Sequence, residues 1–373
     1  MHLPWCLHKC PYCDFNSHTA PETLPEGRYV AALLADLETE LPRIWGRRLE
    51  SVFLGGGTPS LFSPESMAEL IDGLRARLPL RPDTEVTLEA NPGTFEQARF
   101  RAFRESGINR LSIGVQSLDD ALLRRLGRVH DAAEALRAVE QATTAGFDNL
   151  NIDLMFGLPG QTLHQADTDL ALALSLEPAH LSYYQLTLEP NTLFHHDPPE
   201  LPDSDTLWEM QQQGHERLSD AGYTRYEVSA FARPGRRCRH NLNYWRFGDY
   251  LGIGAGAHGK LTDPASGVVT RRSKQRQPLA YMEAAERGEP DSTVREVDDE
   301  DLCFEFMLNA LRLNDGFDAA LFVQRTGLGM DRIAGPLTEA RARGLLEPER
   351  RRIRPSALGQ RFLNDLTGLF LPT

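Results

Sequence analysis

Short apolar runs alternate with longer helical segments through the first half of the chain, and this alternation constrains the fold more than any other feature. Ser51–Leu54, Glu85–Leu88, Arg110–Ile113, Leu150–Leu154 and Leu181–Leu186 read as strands. Between them Tyr29–Trp45, Pro64–Leu78, Thr94–Ser106, Ala132–Ala145 and Thr162–Leu176 carry apolar residues at helical spacing. Ser63 before Pro64 suits an N-cap followed by proline at the first helical position, and Gly107 and Gly146 sit just past helix ends. Strands that alternate with helices build a parallel sheet from βα units. With His2–Trp5 as the first strand, about six units fit into residues 1–190. Six make an α/β partial barrel rather than the closed eight.

In such folds functional groups gather at the C-terminal ends of the strands. Gly55-Gly56-Gly57-Thr58 follows the second strand, Glu89 ends the third, Gln116 follows the fourth, and Asp153 and Gln185 are expected at the ends of the fifth and sixth. One polar residue at a strand end is ordinary. Five at successive ends point to a shared mouth.

After residue 190 the alternation stops. Pro198-Pro199 marks a connection, Ser204–Ala221 reads as a helix, and His240–Gly259 is aromatic and glycine-rich. From Val297 the pattern is helical, over Leu302–Leu311, Phe317–Arg325 and Met330–Arg343, with a hairpin over Leu345–Arg354 and a closing helix over Pro355–Leu371. The expected division is a barrel over 1–235, a connecting segment over 236–295 and a smaller, mostly helical domain over 296–373. The length of 373 residues fits two domains at about 150 each.

Five cysteines is an odd number, and three of them fall within the first 13 residues. A secreted disulfide framework would spread an even number along a short chain, so metal ligation in a reducing cytoplasm fits better. The opening MHLPWC lacks the basic region and apolar stretch of an export signal. No apolar run approaches the ~20 residues of a membrane span. A net charge of −13 argues against non-specific nucleic-acid binding.

Cys6-x-x-x-Cys10-x-x-Cys13 directly follows the first strand. Soft thiolates select zinc or iron–sulfur clusters. Structural zinc usually takes four ligands in two pairs, and Cys238 and Cys303 form no second pair. A zinc site completed by His2, His8 or His18 stays open on spacing alone, as does a zinc-stabilised binding module without redox chemistry. Cubane clusters commonly take four thiolates. Three leave one iron free to accept a small chelating molecule.

C-x₃-C-x-aromatic-C, with Tyr12 before the third cysteine, resembles the signature of the radical S-adenosylmethionine (SAM) superfamily. The resemblance implies a 4Fe–4S cluster on Cys6, Cys10 and Cys13, with the amino and carboxylate groups of SAM on the open iron. Gly55-Gly56-Gly57-Thr58-Pro59 is similar to the family's glycine-rich turn, where the missing side chains let backbone approach the methionine amino group. Glu89 in Glu89-Ala90-Asn91-Pro92 resembles its strand-end carboxylate. Gln116, Arg128 and Asp153 match further nucleoside- and carboxylate-binding positions. The implied SAM set is therefore Tyr12, Gly56, Gly57, Thr58, Glu89, Gln116, Arg128 and Asp153. Without that company, Arg128 reads as a surface helix charge.

Across nearly the whole chain the resemblance is closest to the coproporphyrinogen dehydrogenase (HemN) group, and within it to the HemW-type heme chaperones. The dehydrogenases carry a fourth cysteine two residues after the third, where this chain has Phe15. His240-Asn241-Leu242-Asn243-Tyr244-Trp245 matches the HNxxYW motif of HemW, which implies heme binding through His240, Asn241, Tyr244 and Trp245. Imidazole is a good axial ligand, and Tyr and Trp offer flat apolar faces. His258, which otherwise could line the SAM pocket, and Cys238 stand as substitute ligands. His195 and His196 read as solvated surface.

The implied function is a heme chaperone that passes heme to an acceptor protein, a membrane-bound respiratory enzyme being one option, with an electron donor for the cluster. The expected location is cytoplasmic, with peripheral membrane association open. The alternative is an oxygen-independent coproporphyrinogen III dehydrogenase, and whether the chain is an enzyme stays undecided. Relatives carry residues upstream of His2, including a tyrosine that approaches SAM. The resemblance implies that this tyrosine is missing here or that Met1 is an internal start.

Overall fold

A computed structural model describes residues 1–93 and 98–372. Six parallel strands, His2–Leu3, Ser51–Gly56, Glu85–Ala90, Arg110–Gln116, Leu150–Phe156 and His180–Gln185, lie side by side in chain order. Sequential order with a helix in each connection is the topology of a partial barrel. Ala230–Ala232 then adds antiparallel to His180–Gln185, and Thr224–Arg225 completes the sheet.

Helices Glu26–Ile44, Pro64–Arg77, Ala132–Thr144 and Leu163–Ser175 cover the outer face. Their ends follow the local chemistry read from the sequence. Ser63 accepts from the Ser66 N–H, and Asp131 and Thr162 each close a capping box. Gly107 ends the Phe100–Ser106 helix at φ 109, a backbone conformation that a side chain would strain. The expected start of that helix, at 94–97, lies outside the described residues.

The first strand is interrupted at Pro4, which has no N–H to donate. Trp5–Cys6 leaves the main sheet and pairs in parallel with His18–Thr19, with Cys6 opposite Thr19. This two-residue ladder closes the loop that carries Cys10 and Cys13.

The second half differs from the periodicity reading. A three-stranded antiparallel sheet of His258–Thr262, Val269–Lys274 and Asp291–Glu296 stands where a plain connection was expected. Its third strand is almost wholly exposed and mixes charges with hydroxyls, so it carries no apolar alternation to read. Phe317–Asp318 is a strand paired with Arg352–Ile353 rather than the first turn of a helix. The closing helix is broken at Phe362 (φ −110, ψ 48) into Ala357–Arg361 and Leu363–Gly368. Asp153 lies in the middle of its strand, because Leu154, Met155 and Phe156 continue it as buried residues.

Two apolar cores result. One fills the barrel and its helices, and includes Ile253, Tyr281 and Met282 from beyond residue 235. The other is built around Phe306 in the C-terminal part. The antiparallel sheet is tied to the barrel by a buried ion cluster. Lys274 Nζ sits 2.7 Å from Asp36 Oδ1, 2.9 Å from Glu40 Oε1 and 2.8 Å from Asp291 Oδ1. Burial pushes the Asp36 carboxyl up, and Lys274 pulls it back. Removing one partner strands the other charges away from water. Lys274→Met is expected to lower stability by about 3–5 kcal/mol in urea unfolding.

Candidate functional site

A cavity of about 600 Å³ opens at the C-terminal ends of the parallel strands. Cys6, Cys10 and Cys13 line it as half-buried free thiols. Cys6 Sγ lies 3.5 Å from Thr58 Oγ1, which donates to it, and Cys10 Sγ lies 3.6 Å from Arg128 Nη1. Cys13 Sγ is 3.9 Å from Ser17 Oγ. Burial pushes the Cys6 and Cys13 thiols up, more than Arg128 beside the first and Lys9 beside the second pull them down. Among the described residues no three His, Cys, Asp or Glu side chains are grouped closely enough to hold a single metal ion.

The glycine turn holds this loop in place. A Cβ on Gly57 would stand 2.6 Å from Trp5 O, and one on Gly55 would stand 2.7 Å from Glu89 Oε2. Gly56 adopts φ 109 and donates its N–H to Glu89 Oε2 at 3.0 Å. Burial pushes the Glu89 carboxyl up to about 7, with Asp153 adding to the rise and the Gly56 N–H opposing it.

Asn91 joins the two sides of the cavity. Its Nδ2 donates to Thr58 Oγ1 at 2.9 Å, and its Oδ1 accepts from Arg128 Nη2 at 2.7 Å. The same Nη2 donates to Gly114 O at 2.7 Å. A hydrogen-bonded arc therefore runs from Cys6 through Thr58, Asn91 and Arg128 to Cys10. Arg128 is no surface charge: its Nε is buried and has no partner among the described residues. Gln116 stands at a register shift and at φ 71, which re-aims its side chain into the cavity, where Tyr184 donates to its Oε1 at 2.9 Å. Asp153 accepts from Ser112 and Asn151, and burial pushes its carboxyl up.

All eight residues of the expected SAM set, Tyr12, Gly56, Gly57, Thr58, Glu89, Gln116, Arg128 and Asp153, line this one cavity with the three cysteines. Sequence reasoning quoted Asn91 only as part of a motif and passed over Tyr184. Their roles are visible only once the strands are side by side.

The HNxxYW stretch forms the helix Arg239–Trp245, and the structure divides it between two cavities. Asn241 and Trp245 face the cysteine cavity. His240 and Tyr244 face a second cavity of about 580 Å³ on the other side of Gly56, lined also by His2 and His258. His258 is thereby away from the cysteines. Cys238 is buried with its Sγ 3.6 Å from Glu85 Oε1 and lines neither cavity. His2 Nε2 is bound to Asn16 O at 2.9 Å. His195 and His196 are exposed.

The family model described as the Radical SAM superfamily matches residues 1–173, and that of the HemN C-terminal domain matches residues 297–362. Heme chaperone HemW of Escherichia coli (strain K12) is 49% identical over 371 residues, covering 100% of this chain and 97% of that protein. The chain belongs to the HemW family of radical SAM proteins. Heme chaperone HemW of Haemophilus influenzae is 47% identical over 375 residues, covering 100% of this chain and 97% of that protein. The solved structure described as coproporphyrinogen III oxidase (HemN) from Escherichia coli superposes with a TM-score of 0.83 at 22% identity, covering 99% of this chain and 88% of that one. This structural likeness shows the fold.

The radical SAM superfamily implies a 4Fe–4S cluster and SAM, and the cavity of this HemW-family chain suits both. Three thiols share one wall with a glycine cradle that a Cβ would fill. Buried carboxylates stand ready for the cationic centres of SAM, and an under-bonded guanidinium for its carboxylate. Gly57→Ala must push the Trp5 backbone, and Cys6 with it, out of place. Iron and sulfide bound per chain after anaerobic reconstitution are expected to fall to less than half. Gly27→Ala, where a Cβ meets nothing within 4 Å, is expected to match the unaltered protein.

Proposed function

We propose that the chain is a heme chaperone that carries a 4Fe–4S cluster on Cys6, Cys10 and Cys13, binds SAM beside it, and passes heme to an acceptor protein. The observation that carries this reading is the convergence of three free thiols and all eight SAM positions on one cavity. The full-length identity to proteins named heme chaperone HemW supplies the heme. When bound, the cluster supplies one electron for SAM cleavage, drawn from an external donor.

The chain's own residues bind and orient. Gly56, Gly57 and Thr58 offer close backbone and a hydroxyl to the SAM amino group. Arg128 is placed to pair with its carboxylate, and Gln116, Asp153 and Tyr12 surround the nucleoside. Glu89 supplies a negative charge near the sulfonium. The HNxxYW helix would supply the heme contacts, with His240 and Tyr244 on the face that would hold the group and His240 offering its imidazole to the iron. No helix among the described residues is long and apolar enough to cross a membrane. The acceptor we favour is a membrane-bound respiratory enzyme.

Titration of the purified protein with heme tests the reading. A saturable Soret band at one heme per chain is expected, weakened at least tenfold in His240→Ala, a loss of about 1.4 kcal/mol. Absence of heme binding, together with turnover of coproporphyrinogen III, would replace this reading with the dehydrogenase.

Glu89 adds a pH signature. Its carboxyl holds a proton up to about pH 7 in the ligand-free protein, against an ordinary value of 4.5. A carboxyl raised on folding contributes stability that is complete below 4.5 and lost as the pH climbs through 7. Unfolding of the ligand-free protein should therefore become easier between pH 5 and about 8, and Glu89→Gln should flatten that slope. A cation placed against Glu89 reverses the balance. SAM binding is expected to expel a proton near pH 6 and to tighten as the pH rises through about 7, and calorimetry in buffers of different ionisation heat reads both effects.

A further inference from the structure

The second cavity has no part in the SAM site, yet it holds features that belong together. It lies behind the glycine turn, and Gly56 is the one residue that lines both cavities. Leu37, Ile44, Leu74, Leu78 and Leu261 give it apolar walls. An aromatic column forms its floor. Phe53 stacks on His240 at 4.2 Å with planes 10° apart, His240 meets Tyr244 edge-on at 4.6 Å, and Tyr244 meets Tyr250 at 4.5 Å.

His240 is anchored through its backbone, whose N–H donates to Glu85 Oε1 at 3.2 Å. Neither of its ring nitrogens has a hydrogen-bond partner among the described residues. Burial holds the imidazole down at about 3, so it is neutral at physiological pH, the state that ligates metal. Stacking on Phe53 covers one ring face and leaves the in-plane lone pair free.

The rim supplies charge. Arg47 lines it but is engaged by Asp249 and Thr262 O. Arg48 and Arg325 also line it, are exposed, and make no ion pair among the described residues. Two free guanidiniums at one mouth stand out in a chain with 53 acidic residues against 40 basic. Apolar walls, a neutral imidazole with an open nitrogen and two unpaired guanidiniums match a planar iron tetrapyrrole with two propionates.

We propose that the cavity behind Gly56, and not the cysteine cavity, is the heme seat, with His240 toward the iron and Arg48 and Arg325 on the two propionates. This rests on the heme-chaperone reading and adds the place and the anchoring residues. Asn241 and Trp245, on the other face of the same helix, then belong to the SAM side. The two ligands are separated by the Gly55–Gly56 backbone.

The test titrates the reconstituted holoprotein with heme and with heme dimethyl ester, followed by the Soret band, in four forms. The unaltered protein should favour heme over the diester by about tenfold or more. In R48E/R325E heme should weaken by about that factor, the diester should be unchanged, and iron and sulfide content should stay as in the unaltered chain. Leu78→Trp, which fills the cavity, should weaken both ligands, while Trp245→Ala should leave both intact. Heme binding that is lost in Trp245→Ala and kept in Leu78→Trp and R48E/R325E overturns the seat and leaves the chaperone reading standing. No heme binding by the unaltered protein overturns the chaperone reading itself.

Discussion

Close approach of backbone at Gly55-Gly56-Gly57 is the constraint on which the site depends. At each of these positions a methyl group would collide with a different part of it: the Glu89 carboxylate at Gly55, the His2 ring at Gly56, and the Trp5 carbonyl at Gly57. The turn therefore sets three things at once. It fixes how far the first strand slides along the second, where Cys6 emerges, and how deep Glu89 sits. The hydrogen bond from the Gly56 N–H to Glu89 exists because no side chain stands between them. The glycines thus act as a spacer of minimum thickness between two cavities, and their conformational freedom matters mainly at Gly56, with φ 109.

What the sequence disclosed follows from which interactions are local. The six βα units were legible because each strand and helix carries its own periodicity, and Ser63, Gly107 and Gly146 punctuate them by backbone chemistry that acts within a few residues. The cysteine loop and the glycine turn were legible because the spacing is the chemistry. The antiparallel sheet after residue 257 was not, since its strands draw their pairing from neighbours and bury a lysine, Lys274, against Asp291 of the paired strand and Asp36 and Glu40 of the distant Glu26–Ile44 helix. A lysine that is 1% exposed gives no sign in sequence that it is buried. Phe317–Asp318 failed for a like reason: two residues pair with Arg352–Ile353, and two residues have no period.

Within the site, residue types were readable and their directions were not. Asp153 was expected at a strand end and lies mid-strand, yet its side chain still reaches the cavity. Arg128 read alone as a surface charge, and tertiary structure turns it inward onto Asn91, Gly114 O and Cys10. The arc from Cys6 through Thr58, Asn91 and Arg128 to Cys10 is assembled from four separate segments. It places a cation at one thiol and a hydroxyl at another, an asymmetry that spacing cannot express. Burial is the main cause that pushes the Cys6 and Cys13 thiols up, and the neighbouring cysteines add to it.

The HNxxYW helix shows why a motif is not a site. Successive side chains on a helix point about 100° apart, so a run of seven residues faces every direction. His240 and Tyr244 are four apart and share one face, and Asn241 and Trp245, also four apart, share another. The observed division follows from that geometry: each pair lines its own cavity. The helix lies against the Ser51–Gly56 strand through the Phe53–His240 stack. The Ser51–Gly56 strand thus carries both the glycine wall between the cavities and, at Phe53, the ring on which the imidazole stacks.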